Sequence, residues 1–404
     1  MRVTPTPLAV TAYTATSALG LGLDAHLDAL EQQRSGLRAN DFGHSPLACW
    51  IGRVEGLEAN ALPDEYAQWD CRNNRLAWLG LNQDHFLSQV YAARQRYGAT
   101  RIALLLGTST ASIGATEEGY RRLDNDQRLP ADLHRPSIHN PHSLTAFVAA
   151  ALDIGGPCLT ISTACSSSAK VFASAERLIR LGIVDAAIVG GVDSLCDSVL
   201  FGFNALELVS PERCRPFDAA RRGISIGEAA GFALLERIDA STGTPLRLLG
   251  CGESSDAHHM STPDPNGTGA ELALRDAFNR ANIDVPQVDY INLHGTASQK
   301  NDAMEAALIA RLFPTRTRVS STKGLTGHTL GAAGIVEAVI TLLALREGLI
   351  PGNAGTITPD SACTEHFAWC NESRPMRIAL SHSFGFGGSN ACLAFAHVRA
   401  GLDL

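Results

Sequence analysis

Six times along this chain an apolar run stops at a cluster of small and polar residues. The runs at 102–106, 159–163, 186–189, 288–293, at Val319 and at 378–381 lead into GTSTASI, ACSSS, GG, HGT, SSTKG and SFGFGG. Short apolar runs bounded by turn signals are the pattern of strands buried on both faces. Such strands build an α/β sheet, and open α/β sheets carry their functional groups at strand ends and in the loops beyond. Helical spacing falls at 24–33, at 76–96 with a division near Gly80, and at 143–152, 166–181 and 331–346. Residues 40–75 are irregular, and 117–141 form a polar surface excursion. The same grammar runs through both halves, which predicts a duplicated α/β unit joined between 235 and 255.

Composition narrows the function classes. Net charge is −8, against the basic footprint of a general nucleic-acid binder. The 404 residues suffice for a large core without disulfides or metal. The 10 cysteines include no CxxC pair and are expected as free thiols in a reducing compartment. The first residues lack the basic start and continuous apolar core of a signal peptide, and no segment is apolar enough to insert in a membrane. The sequence therefore predicts a cytoplasmic protein.

Cys165 stands between an expected strand and an expected helix of small residues. A helix start and its free amides favour a thiolate and can hold an oxyanion. A buried structural thiol is the alternative, and Ser167 is a rival nucleophile, although GxSxG is absent. His294 and His328 sit in HGT and GHT after strand-like runs, so both can face one cleft. Imidazoles there can donate to a carbonyl or take a proton. Lys323 can tune a histidine or stand in solvent, and Glu337 on an apolar helix needs a partner. His258 and His259 read as surface or architectural residues. SFGFGG reads either as a mobile aromatic gate or as a packed hairpin.

With TACSSSA, RPFDAARRGISIGEAAG, HGTASQKND, STKGLTGHTLGAAG and SHSFGFGGSN in this order, the chain resembles the beta-ketoacyl-[acyl-carrier-protein] synthases of the thiolase superfamily over its whole length. The resemblance implies a thiolase-like fold of duplicated α/β halves in a five-layered α-β-α-β-α core, divided as 1–240 and 241–404. It implies Cys165 as acyl acceptor, His294 and His328 as the histidine pair, and Lys323 and Glu337 in support. Phe386 would be the gate, its amide sharing an oxyanion hole with that of Cys165. Thr296 and Ser298 would contact phosphopantetheine, with serine at the second position a departure from the commoner threonine. Thr108, Ser109 and Thr110 correspond to an acyl-pocket loop whose hydroxyls replace the family's usual glycines.

The implied reaction is decarboxylative Claisen condensation of an acyl thioester with malonyl-acyl carrier protein. No intrinsic cofactor or metal is implied, since the phosphopantetheine comes on the carrier. The wording also resembles ketosynthases that extend conjugated aryl polyene or xanthomonadin-type chains, with general type II fatty-acid elongation as the alternative. Partners would be the acyl carrier protein and, in a homodimer or heterodimer, a second copy or a chain-length-factor-like homologue. Arg72, Arg75, Arg213, Arg215, Arg221 and Arg222 are candidates for steering the acidic carrier. A thiolase is a competing class, but it would use a second cysteine near the C-terminus as base. A noncatalytic docking subunit is the other.

Overall fold

The computed structural model describes residues 6–44, 46–238 and 243–398. Ten of its strands form two arrays of five. The first holds β1 Leu8–Ser17, β2 Ile102–Gly107, β3 Cys158–Ile161, β4 Ala186–Asp193 and β5 Ala229–Arg237, in the order β3-β2-β4-β5-β1. The second holds β6 Leu246–Ser255, β7 Tyr290–Asn292, β8 Arg318–Ser320, β9 Ile378–Gly385 and β10 Ser389–His397, in the order β8-β7-β9-β10-β6. Counted within its own half, each array reads third, second, fourth, fifth, first. The pairing senses repeat as well: parallel on both sides of the second strand, antiparallel beyond the fourth. Weak sequence likeness hides this duplication; strand order reveals it. The arrays join edge to edge where Leu8 and Ala9 pair with Leu248 and Arg247.

Helices complete five layers. On the outer face of the first array lie α1 Arg72–Leu81, α2 Phe86–Tyr97 and α3 Ser143–Leu152. Between the arrays lie α4 Ser167–Arg180 and α7 Ala333–Glu347. On the far face lie α5 Thr268–Ala281 and α6 Gln299–Leu312. Every residue of α7 from Ala333 to Leu345 is buried, as a helix apolar on all sides must be. The thiolate candidate precedes α4 and the second histidine precedes α7, so the central layer carries both to one place.

Several boundaries differ from the sequence expectation. The strand expected to stop at Val189 runs on through Gly190 and Gly191 to Asp193. Glycine is required there: a Cβ on Gly190 would lie 2.5 Å from the Gly231 oxygen, and one on Gly191 2.5 Å from Ser168 Cβ. β9 likewise continues through Phe384 to Gly385 because all of its partners on β10 are present. The polar excursion opens with a helix, Ile113–Arg121, whose Glu117 caps the start of the helix Asp197–Ala205. The expected division at 240/241 lies outside the described residues.

Candidate active site

Ala164 adopts φ 53°, a left-handed conformation costly for a residue with a Cβ. That turn stops the strand sharply and sets Cys165 at the head of α4. Three neighbouring serines fix it. Ser166 Oγ donates to the Thr163 oxygen at 2.9 Å, and Ser167 Oγ donates to the Ala164 oxygen at 2.6 Å while accepting from the Thr163 amide at 2.9 Å. Ser168 Oγ accepts the Ile335 amide at 2.9 Å and so ties α4 to α7. Ser167 is fully buried in these bonds, and the nucleophile reading passes to Cys165 alone.

Cys165 Sγ lies 2.9 Å from His328 Nε2. The His294 and His328 rings meet edge-on with centroids 5.4 Å apart. Lys323 Nζ donates to the His294 carbonyl at 2.6 Å, lies 3.3 Å from His294 Nδ1 and forms an ion pair with Glu337. All five residues are buried. Burial pushes the Glu337 carboxyl up, against the pull of the Lys323 ammonium. Burial, reinforced by Lys323, holds both imidazoles well below their usual range, so both are neutral at physiological pH.

The thiol departs from expectation. A helix start was expected to favour the thiolate. Instead burial pushes Cys165 up to about 12, outweighing Lys323 and the Phe386 amide that points at the sulfur. The resting group is a thiol whose neighbour, His328, is in reach of its proton.

The site opens into a cavity of about 690 Å³, lined by Cys165, His294, His328, Thr296, Ser298 and Phe386 among others. Thr296 Oγ1 donates to Ser298 Oγ at 2.9 Å, pairing the two expected pantetheine contacts. Phe386 is half-buried and stacks on Phe203 with centroids 5.4 Å apart. Beyond it Gly387 has φ 81° and open space around it, while its amide bonds the Met260 oxygen at 2.7 Å. His259 is exposed, as expected, but it lines the cavity.

Other expected residues are placed elsewhere. Thr108, Ser109 and Thr110 do not line this cavity. Their hydroxyls all turn to the Asp193 carboxylate, which also accepts the Ser109, Thr110 and Gly331 amides. Of the six arginines, Arg72 is ion-paired with buried Glu228 and Arg75 with Asp70, so neither is a free steering charge. Arg213 covers Trp50 and Arg215 pairs with Glu212. Arg221 and Arg222 do line the cavity, Arg221 buried against Asp360 and Arg222 largely exposed.

Sequence reasoning missed Glu305. Its carboxylate accepts the His294 amide at 2.9 Å, the Gly295 amide at 2.8 Å and His382 Nδ1 at 3.0 Å. It therefore holds the HGT loop from α6. An acid on the buried face of the helix after HGT was the available signal. Asp302, one turn earlier, accepts the Phe217 amide at 2.8 Å and ties the RPFD segment to the same loop.

A thiol and two neutral imidazoles, buried where two like α/β arrays meet, define an acyl-transfer enzyme of thiolase-like fold. Residues 6–240 match the beta-ketoacyl synthase N-terminal domain and 247–356 the C-terminal domain. The chain is 34% identical over 403 residues to nodulation protein E of Rhizobium sp. (strain N33), covering 94% of this chain and 96% of that one. It is 33% identical to 3-oxoacyl-[acyl-carrier-protein] synthase 2 of Coxiella burnetii, covering 85% of each. A ketosynthase from Xenorhabdus doucetiae, solved in complex with its chain length factor, matches with a TM-score of 0.89 and 37% identity over 97% of this chain and 98% of that one. The chain belongs to the beta-ketoacyl synthase family, and it is a condensing enzyme of the 3-oxoacyl-[acyl-carrier-protein] synthase kind.

Proposed function

We propose that condensation runs on Cys165, His294 and His328, and that the growing chain is a conjugated, aryl polyene-type acyl group. The observation that carries the site reading is the 2.9 Å contact between Cys165 Sγ and His328 Nε2 inside a buried, cavity-facing cluster.

In the first half-reaction His328 Nε2 takes the thiol proton as Sγ attacks the acyl thioester. The bond to the carrier sulfur breaks, and the proton passes to that leaving thiolate. In the second, malonyl thioester enters and carbon dioxide leaves, its bonding electrons forming an enolate. His294 donates to the developing enolate oxygen, as the Lys323 ammonium on Nδ1 places the ring proton on Nε2. The enolate carbon attacks the acyl carbonyl on Cys165. The Cys165 and Phe386 amides take the oxyanion, which collapses to the 3-oxoacyl thioester and frees the thiolate to be reprotonated. Thr296 and Ser298 hold the phosphopantetheine arm, which belongs to the carrier, and Phe386 gates its entry.

The partners in this reading are an acyl carrier protein and a second ketosynthase-like chain, most simply a chain-length-factor-like homologue. The Xenorhabdus ketosynthase assembled with its chain length factor supports the heterodimer. So does β3, an edge strand with Leu159 44% exposed on it. Arg222 and Lys300 at the mouth are the steering charges, because both line the cavity and are exposed, Arg222 meeting Glu212 only in a long, exposed pair at 3.7 Å. Thr108–Thr110, braced by Asp193, line the acyl pocket only once that second chain is in place. The division into halves falls at 240/241, between β5 and β6. Ten free cysteines support a cytoplasmic setting, and no helix among the described residues is long and apolar enough to cross a membrane.

Intact-protein mass spectrometry of acyl loading tests the substrate. The chain, alone and with its partner, meets saturated, polyenoyl and aryl-polyenoyl carrier thioesters. Preferential loading of conjugated chains supports the proposal; equal or better loading of saturated chains returns the enzyme to general fatty-acid elongation.

A further inference from the structure

Cys165 Sγ and one ring nitrogen each of His294 and His328 lie within 4.8 Å of one another, all buried. The closest pair, Sγ and His328 Nε2, is 2.9 Å apart. Tetrahedral zinc, with Zn–S about 2.3 Å and Zn–N about 2.0–2.1 Å, places its ligand atoms about 3.3–3.6 Å from each other. The 2.9 Å pair is shorter than that range and 4.8 Å bounds the other two spacings, so modest turns of the rings would bring the three atoms to tetrahedral spacing. All three residues line the cavity, which leaves a fourth coordination position open. One thiolate and two imidazoles are a donor set for a borderline cation.

One group opposes coordination. Lys323 Nζ lies 3.3 Å from His294 Nδ1 and is anchored by the His294 oxygen at 2.6 Å and by Glu337. An ammonium donating to Nδ1 leaves the ring proton on Nε2, the one ring nitrogen of His294 that Lys323 does not occupy. A protonated ring nitrogen has no lone pair to offer a metal. We propose that Cys165, His294 and His328 form a latent site for Zn²⁺ or another borderline divalent cation, and that Lys323 keeps it closed by holding His294 in its Nε2–H form. Binding would form a sulfur–metal bond and release the thiol proton to solvent, which removes the nucleophile. Lys323 thus has a duty beyond supporting the donor to the enolate: it protects the thiol from metals. The inference uses the cluster's geometry and does not depend on which acyl chain the enzyme extends.

The test compares the wild-type protein with Lys323→Met/Glu337→Gln, in which neither buried charge is left without its partner. Co²⁺ alone is the probe. The readouts are the thiolate-to-cobalt charge-transfer band and the rate of Cys165 alkylation by iodoacetamide, followed by mass spectrometry. The double variant should show the band and a more than about tenfold slower alkylation. Both effects should reverse with chelator, and the band should vanish when Cys165→Ala is added. Wild-type protein should show neither effect. Lys323→Ala, which leaves Glu337 free to keep its proton, is a second variant with the same expectations should the first not fold. An equal band in wild-type protein would overturn the guarding role of Lys323. Its absence from a folded variant would overturn the site. Acyl loading of metal-free wild-type Cys165 is measured separately, so either failure leaves the catalytic assignment to be judged by its own experiment.

Discussion

At the scale of single residues, the central fact is a thiol with a high proton affinity beside a base with a low one. Burial raises Cys165 to about 12 and keeps His328 neutral, so the pair rests uncharged and the thiolate forms only as substrate is attacked. The rate of Cys165 alkylation should therefore climb with pH from 7 to beyond 9 without a plateau, as measured by iodoacetamide labelling. A plateau near neutrality would mean a depressed thiol. The histidines bear on stability too. Their folded-state values lie below the unfolded value of about 6.5, so the unfolded chain binds more protons in acid. Their contribution is complete above that value and is lost as pH falls below it, so the melting temperature should drop between pH 6.5 and 5.

Glu305 is decisive without touching substrate. Glu305→Gln leaves one of its two amide acceptors as a donor against the His294 loop, at a cost of about 1–3 kcal/mol. We expect a lower melting temperature and a larger fall in malonyl decarboxylation than in acyl loading, since His294 is the residue displaced. Cys165, His294 and His328 were legible because each sits among the small residues that a close approach demands. Asp302 and Asp193 were not, because each accepts backbone amides from segments remote in sequence, which no local pattern records. Glu305 holds a loop only ten and eleven residues back, and an acid on the buried face of the next helix was its one local mark.

At the scale of elements, the helices 143–152, 166–181 and 331–346 were legible to within two residues, because each has clear limits and a full apolar face. Strand ends were less so. Glycine and serine signal a turn in sequence, yet here Gly190 and Gly191 continue β4 because α4 and β5 press against it. Gly190→Val should therefore cost about 1–3 kcal/mol through overpacking against the Gly231 oxygen and the Phe232 ring. Thermal unfolding checks this; an unchanged melting temperature would show the contact to be slack. The hydroxyls of 108–110 have a role that sequence did not show: in the fold they brace Asp193, which fastens β4 to the turn before α7.

At the scale of the whole molecule, the repeated strand order explains why chemistry needs both halves. The first supplies the thiol at the head of α4, and the second supplies His294, Lys323 and His328 from the ends of β7 and β8. Neither half has a site alone. The duplication was legible only as recurring grammar, since the halves share topology rather than residues. The exposed edge at β3 lies close behind Cys165, so pairing there would shape the acyl pocket from across the interface. Leu159→Lys should then shift the protein toward monomer by light scattering and weaken chain selection while sparing malonyl decarboxylation.

The most direct test joins two readouts in one reaction. The wild-type chain with its partner, an acyl carrier thioester and malonyl-acyl carrier protein should show an acyl adduct on the Cys165 peptide. It should also release one carbon dioxide for each 3-oxoacyl product. Cys165→Ala should lose the adduct and the product, and His294→Ala should keep the adduct but lose the carbon dioxide. Product formation by Cys165→Ala, or full decarboxylation by His294→Ala, would contradict the account.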